Sequence, residues 1–167
     1  MDPLDARALA NVAGARPGAL VVDPMCGTGG LLIEAGLVGA RAVGVDAQAK
    51  MVRGTRENCR AYLDDAAFAV LRGDATRLPV ADGAADAVVV DAPYGRQSKV
   101  VGDGGLVAEA LVAARRVAPR AVVVADESVS AAARDAGWTV ETRHERRVHR
   151  SLVRHVHVLT DGPARGA

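Results

Sequence analysis

The sequence predicts an α/β domain built on a doubly wound, mostly parallel sheet of seven strands, with a C-terminal antiparallel hairpin at its edge. Three observations predict it. Short Val-rich apolar runs recur and end in aspartate, helical stretches alternate with them, and after Gly137 the alternation gives way to two successive strand-like segments. A short continuous apolar run is the pattern of a strand buried on both faces, as in a parallel sheet covered by helices. Crossovers between parallel strands are right-handed, so alternating strands and helices cover both faces of one sheet.

The elements follow in order. Pro3 to Ala13 reads as a helix, with Asp2 as N-cap and Pro3 at the first helical position, ending before Pro17-Gly18. The runs Ala19 to Asp23, Ala42 to Asp46, Ala87 to Asp91 and Ala121 to Asp126 are strands, and Phe68 to Leu71 is a fifth, leading through Arg72-Gly73 to Asp74. Helices are expected over Gly30 to Val38, Gln48 to Leu63, Leu106 to Val117 and Ser128 to Ala136. The connection from Asp74 to Asp86 carries Pro79 and Gly83 and reads as loop. Trp138 to Val148 and Leu152 to Leu159 form the hairpin, joined near His149-Arg150. One domain over residues 1–160 and a frayed tail over 161–167 complete the expectation.

Composition narrows the function classes. A chain of 167 residues with 50% hydrophobic content supports one packed domain and excludes disorder. No uncharged apolar run approaches ~18 residues, which excludes a membrane-spanning helix. The acidic start, Met1 to Asp5, leads into no apolar core of signal-peptide type, so the expected location is cytoplasmic. With 21 basic and 20 acidic side chains, net charge does not announce a nucleic-acid binder. Locally, however, Trp138 to His157 holds Arg143, Arg146, Arg147, Arg150, Arg154 and every histidine. Cys26 and Cys59 form no CxxC pair and are expected to be free thiols.

In a doubly wound sheet ligands bind at the carboxyl ends of the strands, beside the point where strand order reverses. Asp23, Asp46, Asp74, Asp91 and Asp126 are therefore expected along one edge. The first strand runs into Asp23-Pro24-Met25-Cys26-Gly27-Thr28-Gly29-Gly30, a turn whose glycines permit positive φ and close approach of a ligand. It lacks the lysine of a phosphate-binding P-loop. The dinucleotide pattern GxGxxG fails as well, because Leu32 stands where its third glycine belongs. A carboxylate at position 23 repels a pyrophosphate and attracts an ammonium or sulfonium, a contact worth about 4 kcal/mol at ~4 Å and an effective dielectric of roughly 20, before desolvation. Asp46 is placed to accept ribose hydroxyls and Asp74 an adenine amino group. An adenosine that carries positive charge in place of phosphates answers all three, and S-adenosylmethionine is such a molecule.

The fourth strand ends in Asp91-Ala92-Pro93-Tyr94-Gly95. Here the sequence resembles class I S-adenosylmethionine-dependent methyltransferases that modify exocyclic amines, whose motif reads Asp/Asn-Pro-Pro-Tyr/Phe. With Asp23 to Gly30, Gly44-Val45-Asp46 and Gly73-Asp74-Ala75, it is similar to the catalytic domain of archaeal tRNA guanine-N2 methyltransferases acting at position 10, over about Asp2 to Thr160. The resemblance implies a Rossmann-like methyltransferase fold, S-adenosylmethionine as cofactor and tRNA as substrate. It assigns cofactor contact to Asp23, Cys26, Gly27, Thr28, Gly29, Asp46, Ala47, Asp74 and Ala75, and catalysis to Asp91, Ala92, Pro93 and Tyr94. Ala92 departs from the motif's first proline, which is tolerable where that residue acts through its carbonyl. The family carries an RNA-binding THUMP domain ahead of the catalytic one, and none precedes Pro3 here, so the resemblance leaves open a truncated gene product, an excised domain, or a free-standing relative that holds RNA another way, for instance through a separate RNA-binding partner.

The chemistry follows from these positions. Asp91 and the Ala92 carbonyl accept the two N–H groups of a base amine, Pro93 fixes the turn, and Tyr94 stacks on the base, a contact worth ~1 to 3 kcal/mol. Aligning donor and acceptor supplies about 7 to 11 kcal/mol in well-ordered cases. The target nucleotide has to be flipped or splayed into the cleft. The basic hairpin and Arg96 are candidates for phosphate contacts, and Gln97-Ser98-Lys99 for a lid. Cys26 reads as a packing residue, and no metal is expected, since the histidines lack zinc-ligand spacing. The alternatives are a DNA adenine-N6 or cytosine-N4 methyltransferase, and a catalytically idle nucleic-acid or partner-binding module with the same fold. A nicotinamide-dependent oxidoreductase is disfavoured by Asp23 and the missing third glycine.

Overall fold

A computed structural model describes residues 1–92, 105–149 and 152–162. Helix α1 (Pro3–Ala13) is followed by β1 (Leu20–Asp23), α2 (Gly30–Leu37), β2 (Arg41–Asp46), α3 (Ala49–Arg60), a 3-10 turn (Asp65–Ala67) and β3 (Phe68–Arg72). Then come β4 (Ala87–Asp91), α4 (Gly105–Val117), β5 (Arg120–Ala125), α5 (Ser130–Asp135), β6 (Thr139–His149) and β7 (Leu152–Thr160). The seven strands form one sheet in the order β3-β2-β1-β4-β5-β7-β6. β1 to β5 are parallel, and β7 runs antiparallel to β5 and to β6. This is the doubly wound sheet with a terminal hairpin that the sequence predicts.

Strand alternation distributes the valines over two cores. Val21, Val89, Val122 and Val124 face one way, packing with Leu9 of α1, Leu32 of α2 and Val52 of α3. Val22, Val88, Val90 and Val123 face the other, packing with Leu111 of α4, Ala133 of α5 and Trp138. The Trp138 indole is 3% exposed, and its N–H reaches the Leu111 carbonyl at 2.9 Å, so its polar end is satisfied within an apolar layer. Because β1, with β2 and β3 on one side, meets β4 on the other, chain order reverses between β1 and β4. At that reversal the carboxyl ends of the strands carry Asp23 and Asp91.

Local chemistry explains most element ends. The Asp2 carboxylate accepts the Leu4 N–H at 2.9 Å, and Pro3 opens α1 as expected. Helix α3 ends at Arg60, short of the expected Leu63, because Ala61 and Tyr62 N–H groups close the last turn on Asn58 and Cys59 carbonyls. α5 likewise starts at Ser130, two residues late, where the Ser128 hydroxyl bonds Ser130 instead of extending the helix. β5 stops at Ala125, leaving Asp126 just beyond it. β6 runs on to His149, which pairs with Leu152, so the hairpin connection is tighter than drawn from sequence. Among the described residues no helix is long and apolar enough to cross a membrane.

Candidate active site

The turn after β1 is held from three directions. Asp46, at the end of β2, accepts the Gly27 N–H through Oδ2 (3.1 Å) and the Gln48 N–H through Oδ1 (2.8 Å). From α3, the Thr55 hydroxyl bonds the Gly27 carbonyl and the Asn58 amide donates to the Thr28 carbonyl at 2.9 Å. The Cys26 N–H donates to the Val45 carbonyl at 3.0 Å. Gly29 has φ 86°, and a Cβ there would stand 2.7 Å from Thr55 Cγ2, so both backbone and space require glycine. At Gly44 on β2 space alone requires glycine: a Cβ would lie 2.4 Å from Leu32 Cδ1 and 2.9 Å from Cys26 Sγ.

Cys26 is therefore a packing residue, as expected, with its thiol pushed up by burial and by neighbouring Asp23 and Asp46. Its side chain belongs to the core, which leaves only its backbone for the cofactor role proposed for it. Cys59 is also buried and held up to about 11. Thr28 and Ala47 are exposed on the edge, while Ala75 is buried behind Asp74.

The five aspartates lie on one edge, yet their environments differ. Asp23 is 2% exposed, and burial pushes its carboxyl up to about 8. The Met25 N–H, 3.0 Å from Oδ1, opposes that shift, and the neighbouring carboxylates of Asp91 and Asp46 add to it. Burial thus favours the protonated form of Asp23 and opposes the standing negative charge expected at this position. Its pull on a cation is realised only as the proton leaves. Asp74 is exposed, and its Oδ1 accepts both the N–H and the hydroxyl of Thr76 at 2.8 Å, which holds its carboxyl below the usual range. It also borders an open cleft of about 410 Å³ shared with Thr76, Arg77, Glu109 and Val112. Asp23, Asp46 and Asp91 do not line that cleft; they stand at the carboxyl ends of β1, β2 and β4.

At the end of β4, Asp91 is paired. Arg154 Nη2 lies 2.7 Å from Asp91 Oδ1, and the same nitrogen donates to the carbonyls of Ala92 and Val124, each at 3.2 Å. The antiparallel register sets His155 opposite Ala125, the last residue of β5, so Arg154 falls just past the strand ends. Its side chain is 7% exposed. Sequence reading missed this contact and grouped Arg154 with surface phosphate ligands. The fold also breaks up the rest of that group. Arg146 pairs with Asp5 of α1 at 2.7 Å and Arg143 with Glu145 at 3.6 Å, while Arg147 is exposed. Pro93, Tyr94, Arg96, Gln97, Ser98, Lys99 and Arg150 lie outside the described residues.

His155 and His157 share a face of β7 with ring centroids 6.4 Å apart. His157 is fully buried, with Nε2 3.2 Å from the Ser128 hydroxyl, and burial holds it below the ordinary histidine value. Among the described residues no group of three or more His, Cys, Asp or Glu side chains is placed to hold a metal ion.

Residues 3–156 match the UPF0020 family, described as an RMKL-like methyltransferase domain. The chain is 38% identical over 172 aligned residues to the tRNA (guanine(10)-N2)-dimethyltransferase of Methanothermobacter thermautotrophicus, covering 95% of this chain and 48% of that protein. It is 34% identical to the enzyme of the same name from Methanocaldococcus jannaschii, covering 95% of this chain and 45% of that one. The crystal structure of TrmN from Thermus thermophilus superposes with a TM-score of 0.72 at 26% identity, over 96% of this chain and 49% of that chain. The chain thus spans about half the length of the curated relatives it matches. With the family match running over residues 3–156 and reaching every strand of the sheet, the chain belongs to the UPF0020 family of RMKL-like methyltransferase domains.

Proposed function

We propose that this domain transfers a methyl group from S-adenosylmethionine to the exocyclic N2 of guanine in RNA, with tRNA as the substrate. The observation that carries the reading is the convergence of Asp23, Asp46 and Asp91 at the reversal of strand order. A carboxyl buried to 2% exposure beside two more acids suits a ligand that brings positive charge. The guanine and the RNA rest on the names of the relatives aligned along 95% of the chain.

Asp23, Gly27, Thr28, Gly29, Asp46, Ala47, Asp74 and Ala75 would hold the cofactor, with Cys26 contributing backbone alone. When bound, the cofactor supplies a methyl group already activated by its sulfonium. Asp46 retains capacity for ribose hydroxyls, since a carboxylate offers about four acceptor positions and two are used by Gly27 and Gln48. Asp91 Oδ2 and the Ala92 carbonyl receive the N–H groups of the amine, aim its lone pair outward, and Asp91 takes up the proton that nitrogen loses. Pro93 and Tyr94 shape and stack the base. A partner or further segment that grips RNA is part of the proposal, since Arg143 and Arg146 of β6 are engaged by Glu145 and Asp5.

Incubating the protein with labelled cofactor and unmodified tRNA, then analysing nucleosides by mass spectrometry, tests this directly. N2-methylguanosine or its dimethyl form is the expected product. Methyl transfer only to adenine or cytosine of DNA would refute the substrate, and cofactor binding without turnover on any nucleic acid would refute the enzyme.

A further inference from the structure

We infer that Arg154 is a positioning residue for the methyl-accepting site: its guanidinium fixes the Asp91 carboxylate and the Ala92 carbonyl in the orientation that receives the target amine. The inference rests on the function proposed above and adds to it a residue from the opposite end of the chain.

The geometry supports it in three ways. A single nitrogen of Arg154 reaches Asp91 Oδ1, the Ala92 carbonyl and the Val124 carbonyl, so it ties the ends of β4 and β5 together at the site. The two acceptors it grips at β4 are the two assigned to the amine. It does not exhaust them, because a carboxylate has about four acceptor positions and a carbonyl two. Among the described residues, only Oδ1 of Asp91 is engaged, which leaves Oδ2 to the incoming N–H.

Charge gives the second reason. Asp91 sits within electrostatic reach of Asp23, which in turn feels Asp46. The guanidinium, 2.7 Å away and 7% exposed, supplies a compensating cation where solvent screening is weak. An ionised Asp91 is what accepting a proton from the methylated nitrogen requires.

The third reason is burial. An arginine this deep is rare unless paired, and its planar fork suits several oxygens at once where an ammonium is a point charge. Its place is set by the β5–β7 register, which puts it one residue beyond the pair Ala125 and His155.

Arg154→Gln and Arg154→Lys test the assignment. Expected are folded variants by circular dichroism, affinity for S-adenosylhomocysteine within about twofold of the parent, and KM for tRNA little changed. Misplacement of a reacting group by ~1 Å costs about 10²-fold, and that loss of kcat is expected for Arg154→Gln, with roughly tenfold for Arg154→Lys, which keeps the charge without the fork. Parental kcat in either folded variant, or a loss carried by donor affinity or KM, overturns the inference. A second readout needs no turnover. In 13C-labelled protein the carboxyl carbon of Asp91, assigned with Asp91→Asn, shifts in Arg154→Gln; a resonance that does not move overturns the clamp. If the parent protein binds the cofactor and methylates no guanine, the substrate reading fails, and this resonance still decides whether Arg154 holds Asp91.

Discussion

The two halves of the sheet build their share of the site by opposite means. From β1 to β3, each acid lies next in sequence to the turn it organises: Asp23 accepts from Met25, Asp46 from Gln48, and Asp74 from Thr76. Each of these three bonds spans two residues, and the longer-range bonds from Asp46, Thr55 and Asn58 then fix the β1 turn against β2 and α3. From β4 to β7 the decisive contact joins residues 63 positions apart, Asp91 and Arg154, through a strand that runs back against the sheet. The lesson is that a motif can announce an acceptor without announcing what holds it.

Four measurements test this contrast. The largest effect is expected for Asp91→Ala, the meeting point of the halves: transfer should fall by about 10²- to 10⁴-fold, the usual worth of a positioned acid or base. Affinity for S-adenosylhomocysteine should hold, and equal loss of both in calorimetry would put Asp91 in the cofactor half instead. Asp46→Ala should do the reverse. It removes acceptors from two backbone N–H groups and any ribose contact, and hydrogen bonds to charged groups are worth about 1.5 to 3 kcal/mol each. Cofactor affinity should therefore drop roughly tenfold or more, and unchanged binding would strip Asp46 of its ribose role.

The third measurement concerns pH. Native Asp23 keeps its proton up to about 8, whereas an unperturbed carboxyl releases it near 3.8. Between those values the folded state binds the extra proton, so stability falls as pH rises through that window. Binding of a cation in that window should expel the proton, so cofactor affinity should increase from pH 6 to 8, by at most about tenfold per unit. Calorimetry in two buffers of different ionisation enthalpy reads the released proton directly. Asp23→Asn should flatten both profiles, and a parent protein with flat profiles would contradict the buried carboxyl. The smallest effect belongs to the hairpin surface. Arg146→Ala removes a largely exposed pair with Asp5, and such pairs contribute about 0 to 1 kcal/mol. A melting temperature that falls by more than a few degrees would show the hairpin to be anchored there.

Much of the fold was legible because it follows from short-range chemistry. The Val-rich runs required burial on both faces, Asp2 and Pro3 marked a helix start, and the aspartate-terminated runs placed Asp23, Asp46 and Asp91 at the carboxyl ends of parallel strands. Less legible were the ends of α3 and α5, where turn-closing bonds compete with helix propagation. The roles of Thr55 and Asn58 were missed altogether. Nothing in an amphipathic helix tells which of its polar residues will face a loop some 28 to 30 positions earlier.

The sequence by itself determined the alternation of strands and helices, the glycine turn after β1 and the row of acids, because periodicity, backbone freedom and capping act within a few residues. Tertiary structure alone decided what those acids became. It buried Asp23 so that its carboxyl is pushed toward the protonated form, spent one oxygen of Asp46 on the distant Gly27 N–H, and moved Arg154 from an apparent basic surface onto Asp91. Desolvation and long-range pairing depend on which distant elements cover a residue, and one-dimensional order does not specify that.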